Sequence, residues 1–261
     1  MPGDPNWTRQ QLLVAFNLYC RLPFGKLHSR NPDIKKCAKL IGRTPSALAM
    51  KLTNIASLDP AITSTGRSGL KGASQADKAM WHEMQSNWEE FAVESYKAIE
   101  AVSAEFNVDA ELESQEMHGS EEVPDYTGGS RTAQVQARIG QDFFRKAVLS
   151  AYSYKCCITG LAVPELLVAS HIIPWSVNTA NRLNPRNGLC LSALHDKAFD
   201  KGLITISEEC AVRISKRKTV EHDEFYRTAM LAYDGKRISL PDKFQPDSDF
   251  LAHHRERIFD Q

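Results

Sequence analysis

"ASHIIPWSVNTANRLNPRNGLCLSALHDKAFDKGLITI" occupies residues 169–206. The β-forming run "ELLVASHIIPW" leads into it and stops at Pro174, which has no amide hydrogen to give a ladder, so His171 falls late in a strand. "SVNTANRLNPR" is a polar loop, rich in turn-forming residues. "NGLCL" is short and strand-like. Residues 193–201 suit a helix that ends at Gly202. A β, loop, β, α order therefore gathers His171, Asn187, His195, Asp196 and Asp200 within a short stretch.

Upstream, "RTAQVQARIGQDFFRKAVLSAYSYKCCITG" carries Val135, Ile139, Phe143 and Val148 at a spacing that predicts helical packing before a turn at Gly160. Before that, residues 97–131 reverse the charge pattern. Glu100, Glu105, Asp109, Glu111, Glu113, Glu116, Glu121, Glu122 and Asp125 lie there with no Lys or Arg between the two end residues. With the glycine, serine and proline of "HGSEEVPDYTGGS", such a segment buries little apolar surface and reads as a linker.

The first part of the chain is cationic. Residues 1–72 hold Arg9, Arg21, Lys26, Arg30, Lys35, Lys36, Lys39, Arg43, Lys51, Arg67 and Lys71 against Asp4, Asp33 and Asp59. Thr8 and Gln11 stand at capping-box spacing ahead of a helix whose apolar stripe is Leu12, Phe16 and Tyr19. "NPDIKKCAKLIGRTPSALAMKLTNIASL" reads as helix, turn at Gly42, then a second helix with Thr44 as N-cap and Pro45 at its first position. Leu48, Leu52 and Ile55 form its inner face, which leaves Ser46, Lys51 and Asn54 outside. This is helix-turn-helix order, and the second helix is expected to contact DNA through Arg43, Ser46, Lys51 and Asn54. The loop "STGRSGLKGAS" adds Arg67 and Lys71 as a wing or phosphate clamp. A plain helical bundle with solvated charges is the competing reading. In the closing helix, Trp81, Met84, Trp88 and Phe91 are expected in the core.

With 261 residues, 42% hydrophobic and 25% charged, the chain has room for two cored domains. The expected organisation is α+β: a basic helical domain over 1–104, an acidic linker over 105–130 and a second domain over 131–261. No apolar run reaches membrane length and the start lacks signal-peptide character, so a cytoplasmic protein with no membrane partner is expected. Cys20, Cys37, Cys156, Cys157, Cys190 and Cys210 show no disulfide framework and are expected to be buried thiols.

The motifs "FFRKAVLSAYSYKCCITG", "ASHIIPW", "RLNPRNGLCL" and "LHDKAFDKGLITI" resemble the HNH nuclease superfamily, in particular its restriction-endonuclease-like members. The resemblance covers about residues 131–214. It implies a ββα-metal (HNH) fold and a metal-dependent endonuclease acting on double-stranded DNA, with a restriction or defence role. The N-terminal half resembles no particular family beyond its helix-turn-helix look.

Phosphodiester hydrolysis needs a deprotonated water, and neutral imidazole suits that task near neutral pH. His171 is the expected general base. Asn187, at the middle position of the motif, is matched to supporting it. Charge accumulating on the phosphate calls for a divalent cation. The resemblance leaves its helix ligand open among His195, the final His of the motif as the letters read, Asp196, nine positions after the Asn, and Asp200, one turn further on. Asp200 has a second reading as a structural contact near Gly202. Most relatives carry Asp or His just before the base. Here that residue is Ser170, which favours an oxygen-rich site suited to Mg²⁺ or Mn²⁺ over zinc.

Many HNH domains also hold a structural zinc on two Cys-x-x-Cys pairs. Thr159 and Ala193 break both pairs here, so no structural zinc is expected, and packing by Trp175, Phe199, Leu203 and Ile204 would hold the domain. "RISKRK", at Arg213 to Lys218, suits either a solvated strand end or a phosphate grip. "LAHHRERIF" resembles a closing helix with His253 and His254 at the surface. Cutting both strands would call for a homodimer or repeated nicking. A DNA-binding regulator carrying a catalytically idle HNH domain is the alternative.

Overall fold

Helix starts in the N-terminal part are capped as their residues require. In the computed structural model, which describes residues 6–66, 72–105, 131–216 and 223–260, Thr8 Oγ1 accepts from Gln11 N while Gln11 Oε1 accepts from Thr8 N. This box opens α1 (Arg9–Arg21). Asn31 caps α2 (Pro32–Leu40), and Gly42, at φ +65°, supplies the left-handed turn to α3 (Pro45–Ala56). Thr44 Oγ1 accepts from Ala47 N at 3.1 Å to cap that helix. A short α4 (Pro60–Thr63) follows, then α5 (Gln75–Ser86), α6 (Trp88–Glu105) and α7 (Arg131–Ala151).

The chain divides into two compact units, 1–146 and 147–261. Phe16, Tyr19, Leu48, Leu52 and Ile55 are fully buried in the first. Tyr19 meets Trp81 edge-on at 6.3 Å and bonds Asp59 through its hydroxyl at 3.1 Å. Trp81, Met84, Trp88 and Phe91 are all buried, as expected. The division falls within α7: its Phe143 packs against Trp88 and Phe91, at 6.2 and 6.0 Å between ring centroids. Val135, expected in the same stripe, is exposed instead. The acidic linker lies outside the described residues apart from the end of α6.

Lys51 corrects the sequence reading. Ser46 is exposed and Asn54 half-buried, but Lys51 is only 7% exposed. Its Nζ bonds both oxygens of fully buried Asp77 at 2.8 and 3.1 Å and lies 4.8 Å from the ring of Trp7. Asp77 in turn closes the capping box of α5 with Ser74. Position 51 therefore faces α5, where its aliphatic stem is buried and its charge is neutralised. Arg43 is held similarly: its guanidinium bonds Gln11 Oε1 and Asn6 O and lies 4.9 Å from the Trp7 ring. Arg67 and Lys71 lie outside the described residues.

Lys51→Ala should destabilise the protein by about 3–5 kcal/mol, because it strands a buried carboxylate. Urea unfolding checks this, and a loss below about 1 kcal/mol would show that the pair does not brace α3 against α5.

In the second unit β1 (Leu167–His171) pairs antiparallel with β2 (Gly188–Ser192), with Leu167 opposite Ser192 and His171 opposite Gly188. Ser192 caps α8 (Ala193–Asp200), which packs on both strands. A second pair, β3 (Ile204–Ile206) and β4 (Val212–Ile214), follows, then α9 (Glu224–Ala229) and α10 (Ser248–Arg257). This is the expected ββα order with a second hairpin and flanking helices. Gly202, at φ +67°, ends α8 where a Cβ would stand 2.1 Å from Ile258 O, so only glycine fits. Phe199 and Ile204 are fully buried, while Trp175 and Leu203 are half-buried. Arg213 of the basic run is exposed beside Phe259, and the run beyond Lys216 lies outside the described residues. Among the described residues all six cysteines are free thiols, and no helix is long and apolar enough to cross a membrane.

His254 departs from its expected surface position. It is 1% exposed and stacks on Phe199 at 3.6 Å between ring centroids. It shares the inner face of α10 with Leu251, one turn away. Nε2 donates to Phe199 O at 3.1 Å, so Nδ1 accepts from Thr205 Oγ1 at 2.8 Å. Burial pushes its pKa down to about 4. The unfolded chain, with an ordinary value of about 6.5, binds the proton more readily in that window. Stability should therefore be full above about pH 6.5 and fall by about 3 kcal/mol as pH drops to about 4. Unfolding curves at pH 7 and pH 4.5 measure the loss, which His254→Gln should reduce. His171 and His195, also depressed by burial, act in the same sense.

Candidate active site

His171 is the last residue of β1. Its Nε2 lies 2.9 Å from the carbonyl oxygen of Arg182. A carbonyl only accepts, so in the neutral ring Nε2 carries the hydrogen and Nδ1 the lone pair. Burial lowers the pKa and keeps the ring neutral near pH 7, with the Arg182 carbonyl opposing part of that shift. The Trp175 ring meets it edge-on at 5.5 Å.

Asn187 is fully buried at the entry to β2. Its Oδ1 accepts from Ile173 N at 2.8 Å, and its Nδ2 donates to Ile173 O at 3.1 Å and to Asn181 O at 3.4 Å. Ile172 N donates to Asn187 O at 2.9 Å. The amide thus fastens the exit of β1 to the loop that presents the Arg182 carbonyl. Its link to His171 runs through the backbone, and the acceptor that the His171 ring meets is the Arg182 carbonyl.

Because α8 packs on β1, Asp196 comes against Ser170, the residue preceding His171. The Ser170 hydroxyl is buried and makes no hydrogen bond of normal geometry. Burial raises the Asp196 pKa, while Ser170 and Lys197 favour its charged form. Asp200, whose side chain reaches solvent, is still pushed up to about 6, first by the protein packed behind it and then by the charge of Asp196. Two carboxylates at i and i+4 and a serine hydroxyl beside the first are oxygen donors chemically fit to hold a hard divalent cation. Among the described residues no three His, Cys, Asp or Glu side chains converge as a closed metal site would require.

His195 is placed differently. It is 3% exposed, its Nδ1 lies 2.8 Å from Ser192 Oγ, and its ring meets Tyr233 edge-on at 5.6 Å. Its Nε2 makes no hydrogen bond of normal geometry. Burial lowers its pKa, against the effect of the Ala229 carbonyl. The structure therefore brings Ser170 and Asp196 together and sets His195 into the packing beneath residues 229–233.

The Arg182 carbonyl and the Trp175 edge were not read from the sequence as parts of the site. A backbone acceptor leaves no side-chain signature, and Trp175 was read only as core packing.

A two-stranded antiparallel sheet with a helix on it, a strand-end histidine, a buried asparagine and a helix carboxylate together form a ββα-type arrangement. Residues 156–207 match the family model described as HNH endonuclease. An HNH endonuclease domain is thus present in the C-terminal half of the chain. No curated protein matches the chain.

Proposed function

We propose that the protein is a metal-dependent HNH endonuclease that hydrolyses phosphodiester bonds of double-stranded DNA, in a restriction or defence role. The observation that carries this reading is the neutral His171 with Nε2–H bonded to the Arg182 carbonyl. Nδ1 is then the basic nitrogen, the one that would take a proton from the attacking water. Asn187 keeps the loop in register so that the ring stays oriented. A bound Mg²⁺ or Mn²⁺ would be held by Asp196, Asp200 and Ser170 and would neutralise charge developing on the scissile phosphate. Ser170 is buried and Asp196 half-buried, so water is partly displaced around them, which would strengthen that electrostatic effect.

The helical unit would supply the grip on DNA. Lys26, Arg30, Lys35, Lys36 and Lys39 are exposed on α2 and the turn before it, with Ser46 exposed at the start of α3. Arg43 and Lys51 contribute by bracing that surface. That exposure supports a phosphate-binding role for α2 and its lead-in, with Ser46 and Asn54 on α3 as the candidates for base contact. One base per chain cuts one strand, so a double-strand break would need a homodimer or repeated nicking.

A regulator with an idle HNH domain is favoured by Ser170 in the place of an acidic or histidine ligand. Supercoiled plasmid separates the readings: an endonuclease should nick it in Mg²⁺ or Mn²⁺ and stop in EDTA, while a gel shift persists. Binding without nicking in either cation would leave the regulator.

A further inference from the structure

His171, Trp175 and Arg182 form a closed circuit. His171 Nε2 donates to the Arg182 carbonyl at 2.9 Å. The His171 and Trp175 rings meet edge-on, 5.5 Å apart and at 88°. Arg182 Cζ then lies 5.1 Å from the centroid of the Trp175 ring. The residue whose backbone orients the imidazole is thus tied by its side chain to the residue whose ring packs against that imidazole.

We infer that Trp175 and the Arg182 side chain are positioning residues that hold His171 in one ring orientation and one tautomer. The inference rests on reading His171 as the base. Rotation about the Cβ–Cγ bond of a histidine is soft and broadly distributed. A single hydrogen bond to a loop carbonyl fixes the ring only as well as the carbonyl is fixed. Asn187 ties Ile173 to Asn181 and so provides a polar clasp across this loop. The Trp175–Arg182 contact is a second clasp between the same two segments, two residues beyond Ile173 and one beyond Asn181. It also blocks the sideways room into which the imidazole would turn. A flipped ring would exchange the nitrogens and carbons at the Arg182 carbonyl, leave that acceptor without its donor and carry the Nδ1 lone pair away from its position. Indole suits this place because it can meet the imidazole perpendicularly and carry a guanidinium over its ring at once.

The test compares Trp175→Leu, Trp175→Phe, Arg182→Gln and Arg182→Lys in the full chain. Two readouts are used: kcat and KM for plasmid nicking, and the ¹⁵N shifts of the His171 imidazole in metal-free protein at pH 8, which report the tautomer. Trp175→Leu and Arg182→Gln should lower kcat by about tenfold to 10²-fold, as expected for a misplaced reacting group, with KM within about twofold. Both should also replace the pure Nε2–H signature by a mixture. Trp175→Phe should recover most of kcat, and Arg182→Lys more than Arg182→Gln. Unchanged kcat and tautomer in both deletions would overturn the inference. So would a kcat loss with an unmoved tautomer signal, because the effect would then not arise from ring orientation. If Trp175→Leu fails to fold, Arg182→Gln and Trp175→Phe carry the same test. If the parent protein does not nick DNA, the endonuclease reading fails, and the imidazole shifts still decide the circuit.

Discussion

His171→Ala should lower plasmid nicking by on the order of 10²- to 10⁴-fold, the range lost when a general base is removed. Gel-shift affinity should stay within about twofold and stability within about 2 kcal/mol. The rate effect is expected because the ring carries the one nitrogen whose lone pair the Arg182 contact assigns. Stability should move little because the ring is half-buried, and the strand it closes is held by the β1–β2 ladder and by the Asn187 amide. Asn187→Ala should be less selective: deleting a fully buried amide leaves the Ile173 amide and carbonyl without these partners, at about 1–3 kcal/mol, so activity and stability should fall together. Nicking by His171→Ala at the parent rate would remove His171 from the chemistry.

The site was legible in the sequence where its function depends on side chains close together along the chain. Pro174 ends β1 just after His171, Ser192 caps α8, and Gly202 stops it, so local rules alone place His171 on a strand and Asp196 and Asp200 on a helix. The pairing of β1 with β2 followed from two short β-forming runs around a polar loop. What escaped depends on partners distant in the chain or on backbone. Lys51 was read as exposed because Leu48, Leu52 and Ile55 form the inner face of its helix, yet its side of that helix meets Asp77 on a helix whose placement no local pattern gives. His254 was read as polar surface because it adjoins His253, Arg255 and Glu256, but the inner face of α10 is set by its packing against Phe199 and Thr205. His195 matches the motif by letter, and its contacts with Ser192 and the Tyr233 ring had no signature in the sequence.

The same distinction sets the expected behaviour of the α8 variants. Asp196→Asn should reduce divalent-cation-dependent nicking by on the order of 10²-fold or more, as loss of a principal electrostatic contribution does. Asp200→Asn should cost less, because its side chain is exposed, whereas Asp196 is half-buried against Ser170. Without a cation Asp196→Asn should be at least as stable as the parent. A partly buried carboxylate beside a second one is unfavourable, and neutralising it also frees Asp200, whose pKa should fall from about 6 toward its ordinary value. A residue that destabilises the folded chain until a cation reaches it is characteristic of a functional position. His195→Ala should show the opposite pattern, with cation dependence kept and stability lowered by the lost packing against Tyr233. Mn²⁺ binding followed by electron paramagnetic resonance, with nicking across a Mg²⁺ titration, separates these outcomes. If Asp196→Asn matches the parent in both measurements while His195→Ala loses the cation, the ligand is the buried His195 Nε2, and α8 must rotate or residues 229–233 must withdraw to expose it.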